Sequence, residues 1–484
     1  MRAAKIVSDG PPWLIFGALV AAPWFYGSTT EQGIVALTWL LTIALALWML
    51  GAAIGTWRRR AEFARGATAV TDPGYNVPQA LRISALLLLG FGWWMALNAR
   101  SVYDADFAMF VGVGAWSTTL PGSIDQAVSV AWMWRATVLL GALCIAADAC
   151  RDPVWLMRIC TTAGATGGSI ALLGLVQKAT HAPMIFWREV DQPVTTFFAT
   201  FFYHGNAGAF LNLTLPVTIG LAIRAFSRRD APLSRAVWLS LAIVSVIAAF
   251  ANTSRMGHAV ALLILLVLGA VLLLRARRAS TRMSWGAAAV GLVALLVAGY
   301  AMTRSVDVER SIGRWDRASE IIPLDARWLA AKTAVSALPE AGWFGFGAGT
   351  FHVVFPYLTG ATTDQRLGGF WRYLHQDYLQ TLLEWGWIGA AVWGFVFFGG
   401  LVIAVTSRRS ARAETWKPRQ RILLPLIVLA LLGVALHAAV DFPLQIASIQ
   451  LYAAVYLGIC WSAPTWGSAR RHAPAAERRS QGYG

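Results

Sequence analysis

Runs of about 20 mostly apolar residues recur along almost the whole chain, and they constrain it more than any other feature. A helix needs about that length to cross the hydrocarbon core of a bilayer. Twelve such runs can be counted, at approximately 12–29, 33–57, 81–99, 127–147, 158–177, 205–224, 236–251, 258–274, 285–303, 386–406, 422–442 and 447–463. Of the 484 residues 57% are apolar and 13% charged, against about 25% charged in an average soluble domain. A soluble globule cannot hide that much hydrocarbon, so the expected fold is an all-α polytopic membrane protein. Arg2 and Lys5 precede the first run as they would in a signal peptide. No clear small-x-small cleavage site follows before Pro23-Trp24, so the run is read as a retained anchor.

Charge then orients the spans. The excess of 40 Lys and Arg over 24 Asp and Glu would suggest a nucleic-acid partner in a soluble chain. No RNP-like, zinc-finger or helix-turn-helix pattern accompanies it, and cytoplasmic loops of membrane proteins carry such an excess anyway. With the N-terminus inside, the short inner segments hold 27 Lys and Arg and the short outer ones only 4. Both termini are therefore expected in the cytoplasm. Trp13, Trp24, Trp57, Trp238, Trp285, Trp385 and Trp387 fall near span ends and are read as interfacial anchors. Cys144, Cys150, Cys160 and Cys460 lack CxxC or metal-ligand spacing and are read as small buried hydrophobes. No repeat of 20–50 residues and no inverted half-repeat is visible.

Four regions follow: spans one to nine over 1–303, one long outer loop over 304–385, spans ten to twelve over 386–463, and a polar, disordered inner tail over 464–484. Loops as long as 304–385 are uncommon without a purpose. This one should hold a helix over 326–338, a glycine-rich stretch, and a second helix starting near His375. Four stretches carry chemical signal, all on the outer face: His204-Gly-Asn-Ala-Gly, Thr253-Ser-Arg-Met-Gly257, Arg327 through Pro339 to Gly345-Phe-Gly-Ala-Gly-Thr-Phe351, and His375-Gln-Asp-Tyr-Leu-Gln.

Their order and spacing resemble the O-antigen ligase family, which includes O-antigen polymerases and O-oligosaccharyltransferases. The likeness covers mainly 195–400; Met256 and Gln376 depart from the family pattern without removing a functional group. It implies a GT-C-like membrane fold and glycan transfer from undecaprenyl diphosphate to an acceptor hydroxyl, such as a lipid A-core sugar. It also implies the periplasmic face of a bacterial inner membrane, a glycolipid or glycan acceptor, and no metal or other cofactor. The matching residues are Arg255, Arg327 and His375. Their chemistry suits the reaction. Guanidinium groups hold diphosphate oxygens bidentately and stay charged. An imidazole at a helix start, kept neutral by the N-terminal dipole, can take the acceptor's proton.

Each residue also has a structural alternative. Arg255 could reach lipid headgroups, Arg327 could pair with Asp325 or Glu320, and His375 could be a satisfied interfacial histidine. His204, Asn206, Asp377 and Gly347 are candidate substrate contacts, with packing as their alternative. The Gly345-x-Gly-x-Gly run could cradle phosphate or form a close-packed turn. Asp104-Ala-Asp106 has the DxD form that some glycosyltransferases use for a metal, but two acids alone are a solvated loop. His437 and Asp441, four apart on span eleven, share a helix face and could relay protons in a secondary transporter, the rival from another class. Within the family, ligase and polymerase differ in the acceptor alone.

Overall fold

Where no water is available, a chain must pair its own backbone polar groups, and the apolar runs do so as long helices. The computed structural model describes residues 2–64, 77–104, 106, 107, 109–192, 196–278, 325–360, 367 and 370–467. The first helices are α1 (Arg2–Trp24), α2 (Glu31–Ala64), α3 (Gln79–Leu97), α4 (Gln126–Ala149), α5 (Pro153–Ala179), α6 (His204–Ser227), α7 (Pro232–Ala251) and α8 (Arg255–Arg278). The long inter-span segment contributes α9 (Ala326–Ser336), α10 (Leu338–Ala341) and α11 (Phe351–Gly360). After it come α12 (Asp377–Arg409), α13 (Pro418–Ala438) and α14 (Ala447–Ser462). The protein is an all-α polytopic membrane protein.

Nine of the described helices, α2 to α8, α12 and α13, are long and apolar enough to cross a membrane. The predicted first and last spans coincide with α1 and α14, while the ninth, 285–303, lies outside the described residues. At 16 residues, α14 is about 24 Å long, short of a hydrocarbon core of about 30 Å. It is buried along α4 instead: a Cβ at Gly458 would stand 2.4 Å from the Leu143 carbonyl oxygen. Small residues likewise bring α5 onto α6, where a Cβ at Gly167 would meet the Thr214 hydroxyl at 2.3 Å.

Several expectations need correction. The strands β1 (Ser101–Asp104) and β2 (Met109–Gly112) form an antiparallel hairpin that the sequence did not suggest. Asp104 Oδ1 accepts from the backbone N–H groups of Asp106 (2.9 Å) and Phe107 (3.3 Å), so the Asp104/Asp106 pair closes that hairpin's turn. Trp385 is no interfacial anchor: it is buried, edge-on to Trp132 and Trp393 at 5.6 Å each. The boundary expected at 464 falls within ordered chain, because Trp466 is buried against Trp416 and donates to the Cys150 carbonyl at 2.9 Å. Residues 468–484 and 304–324 lie outside the described residues.

Helices α9 to α11 form a cap with a small core of their own around Ala330, Ala334, Phe351, Phe355, Leu374 and Leu383. The cap is latched to α12 at a break. Gly386 leaves the helix at φ 61° and ψ −173°. The carbonyls of Leu383 and Glu384, freed by that break, accept from Phe346 (2.8 Å) and Gly347 (3.0 Å) in the glycine loop. The expected helix near His375 and the expected span 386–406 are thus one broken helix. A Cβ at Gly345 (φ +77°) would stand 2.4 Å from the Glu384 carbonyl oxygen. Gly345→Ala should therefore cost at least about 1–3 kcal/mol and visibly lower the thermal midpoint. Gly394→Ala, with nothing within 4 Å, should not; equal midpoints would refute the latch.

Candidate active site

Helix ends that the sequence assigned to one face meet under the cap. Tyr203 is the N-cap residue of α6, and its ring lies 4.8 Å from that of His204. Its hydroxyl donates to Asp441 Oδ2 at 3.0 Å and accepts from Arg327 Nη2 at 3.2 Å. Asp441 Oδ1 lies 3.0 Å from His375 Nδ1 and accepts the Phe442 N–H at 3.1 Å. One polar chain therefore joins Arg327, Tyr203, Asp441 and His375, drawn from four separate segments. The Phe442 ring packs edge-on against His375 at 4.6 Å and stacks on Tyr203 at 5.4 Å, fixing the imidazole plane.

His375 sits just outside its helix, at φ 60°, and Gln376 caps α12 by accepting from the Leu379 N–H. A non-glycine residue in the left-handed region is strained, and such strain gathers at functional sites. His375 precedes the helix instead of starting it, and Asp441 is the group that orients its ring. Nδ1 faces that carboxylate, so Nε2 is the ring nitrogen turned away from it, and the side chain is 20% exposed.

Asp441 is the residue most clearly misplaced by sequence reasoning. Helix α13 ends at Ala438, so Asp441 lies beyond the span, in a turn. His437 Nε2 is 3.7 Å from its Oδ2, but the closer partners are His375 and Tyr203. Burial alone would raise the Asp441 carboxyl; the hydrogen bond from His375 and the His437 ring outweigh it and hold the group below the ordinary carboxylate range. Tyr203 moves the opposite way. Burial, with the Asp441 charge adding to it, pushes its phenol up to about 12 against the pull of Arg327.

Arg327 stands in the first turn of α9, where Asp325 Oδ1 accepts its backbone N–H at 2.8 Å. Asp325 thus caps the helix while the guanidinium reaches Tyr203; Glu320 lies outside the described residues. Arg255 opens α8 with its side chain exposed. The turn before it packs on α6: Asn252 Nδ2 donates to the His204 carbonyl at 2.9 Å, and Asn212 Nδ2 to that of Gly257 at 2.8 Å. His204 Nδ1 and the buried Asn206 Oδ1 have no hydrogen-bond partner among the described residues.

The other two candidates face inward. Asp377 accepts from the Leu444 N–H at 2.8 Å and from Gln445 Nε2 at 3.1 Å, which braces the turn carrying Asp441. Gly347 commits its N–H to Glu384, and a Cβ there would lie 2.1 Å from the Ser123 hydroxyl. Glu384 also accepts from the N–H groups of Gly349 (3.0 Å) and Phe351 (3.3 Å), so the loop's donors point at a carboxylate of the chain itself. Among the described residues no three His, Cys, Asp or Glu side chains are grouped to hold a metal ion.

Tyr203 escaped sequence reasoning, and Asp441 was paired there with His437 instead of His375 and Tyr203. The one signal of Tyr203 is position, a polar group at the end of an apolar run. Residues 239–394 match the family described as O-antigen ligase, and that segment contains Arg255, Arg327 and His375. Tyr203 and Asp441 come from either side of it. No curated protein matches the chain.

Proposed function

Starting from that match, which supports activity of the O-antigen ligase and polymerase type, we propose that the chain is a glycosyltransferase. It moves a glycan from undecaprenyl diphosphate to an acceptor hydroxyl, a lipid A-core sugar in the ligase form. The reaction takes place at the periplasmic face of the inner membrane, with both termini cytoplasmic, and uses no metal. What carries the proposal is the hydrogen-bonded chain that sets an oriented imidazole and a guanidinium either side of Tyr203.

In this mechanism the acceptor oxygen attacks the anomeric carbon and its proton passes to His375 Nε2. The bond from that carbon to the phosphate oxygen breaks, and the diphosphate leaves with the electron pair. Asp441 holds the imidazole through Nδ1 and stabilises the imidazolium that forms, as in other base–carboxylate pairs. Arg327 and Arg255 meet the charge growing on the phosphate oxygens. His204 packs beside the Tyr203 ring and Asn206 is buried, while Asp377 and Gly347 act as braces.

Arg327→Ala, folded and at wild-type abundance, should lower transfer at least about 10²-fold, the usual effect of removing one preorganised donor. Unchanged turnover removes Arg327 from the mechanism. Tyr203→Phe keeps the ring and deletes both hydrogen bonds of the hydroxyl, to Asp441 and from Arg327, so a loss of at least about 10-fold is expected. Because the phenol titrates only at about 12, it is protonated at pH 7 and at pH 9. The loss should be the same factor at both; a pH-dependent factor would mean that Tyr203 itself ionises.

Surface glycolipids of a strain lacking the gene test the reading in the cell. Loss of all attached glycan with lipid-linked chains accumulating marks the ligase. Loss of the ladder with a single repeat retained marks the polymerase form. An unchanged pattern contradicts both.

A further inference from the structure

Arg135 has no place in the mechanism above. It sits in the tenth position of α4, about 14 Å along a helix long and apolar enough to span the membrane, and is only 9% exposed. Its guanidinium lies 5.2 Å over the Trp132 ring, and its Nε has no hydrogen-bond partner among the described residues. A charge at such depth is costly and marks a functional position by default.

The side chain opens into a cavity of about 510 Å³, which it lines with Arg372, His352, Gln380, Tyr373 and Glu384. Glu384 faces the same cavity and its charge acts on Arg135, but from beyond ion-pair distance. Its oxygens serve Gly349, Phe351 and Gln380 Nε2, and no ion pair joins it to Arg135 among the described residues. Glu31 also lines the cavity, on an exposed first turn. Trp132, Glu384 and Gln445 are shared with a second, apolar space of about 330 Å³. That space follows Leu139 and Leu143, four and eight residues beyond Arg135 on the same face of α4, with Trp393 and Phe397 opposite. A buried cation thus heads a single row of hydrocarbon that runs down one helix.

We propose that this cavity and groove bind a single-chain lipid carrying a phosphate or diphosphate head. Arg135, with Arg372 at the rim, holds the phosphate, and the chain lies along Leu139 and Leu143. The site stands one ring layer from His375, since Tyr373 stacks on Phe442 at 4.8 Å and Phe442 packs on His375. The role of the bound lipid rests on the transfer reading. There it seats a second lipid substrate beside the donor, and a lipid-linked acceptor in that seat makes the reaction a polymerisation.

Binding is measured without turnover, on purified full-length protein in nanodiscs, with a labelled polyprenyl phosphate. With the donor seat weakened by Arg327→Ala in every sample, Arg135→Gln should lower retention at least a further 10-fold. Leu139→Trp, which fills the groove and leaves the arginine in place, should do the same and guards against one variant misfolding. His375→Ala should bind as the Arg327→Ala parent does, so that lost transfer with intact binding tells against the mechanism alone. Unchanged retention in both cavity variants overturns the proposal. Displacement by inorganic diphosphate as effective as by the lipid, or equal Arg135-dependent retention of phosphatidylglycerol, overturns the single-chain assignment.

Discussion

Replacing His375 by Ala is expected to lower glycan transfer at least about 10²-fold, and as much as 10⁴-fold, with the protein still folded. That range is what a positioned general base usually contributes. The expectation rests on geometry. The ring is held edge-on to Phe442, its Nδ1 is engaged by Asp441, and the side chain is partly open at 20% exposure. If transfer survives the change, the acceptor proton goes elsewhere and the hydrogen-bonded chain is structural.

Asp441→Asn should cost about 10²–10⁴-fold in kcat with little change in KM. The isosteric amide keeps the packing but removes the charge that steadies the imidazolium, and it can offer His375 a donor where an acceptor is needed. Asp441 is a positioning residue, acting only through His375. Its variant should therefore add little to His375→Ala, so the double variant should resemble the single. Two independent losses that multiply would show that Asp441 works on something else. The pH behaviour is signed. The folded-state value lies below the unfolded one of about 4, so the ionised carboxylate stabilises the fold at every higher pH. That contribution is lost only as the pH falls through the folded value. An acid limb of activity at higher pH therefore belongs to a group other than Asp441.

How much of this was legible in the sequence depends on the range of each interaction. The spans were legible because bilayer thickness sets a local length that any window of the chain reveals. Arg327 and His375 stood out as polar groups in the one long loop, and Arg255 in a tight outer turn. The partners of these residues were not legible. Arg327 reaches Tyr203 across 124 residues and His375 reaches Asp441 across 66. Periodicity sees only neighbours a turn apart, so it paired Asp441 with His437. The break at Gly386 was hidden for a similar reason. A glycine in an apolar run looks like any helical glycine until a loop 40 residues upstream supplies the N–H groups that let the helix open. The hairpin at Ser101–Gly112 was missed because two strands of four residues carry too little alternation to register.

The most direct measurement is turnover by the purified wild-type protein given an undecaprenyl diphosphate-linked glycan and a glycolipid acceptor in a defined membrane. The expected result is acceptor carrying the glycan and release of undecaprenyl diphosphate, both lowered at least about 10²-fold with His375→Ala. Coupled solute uptake into sealed vesicles, with no glycan transferred, would contradict the account and make the chain a transporter.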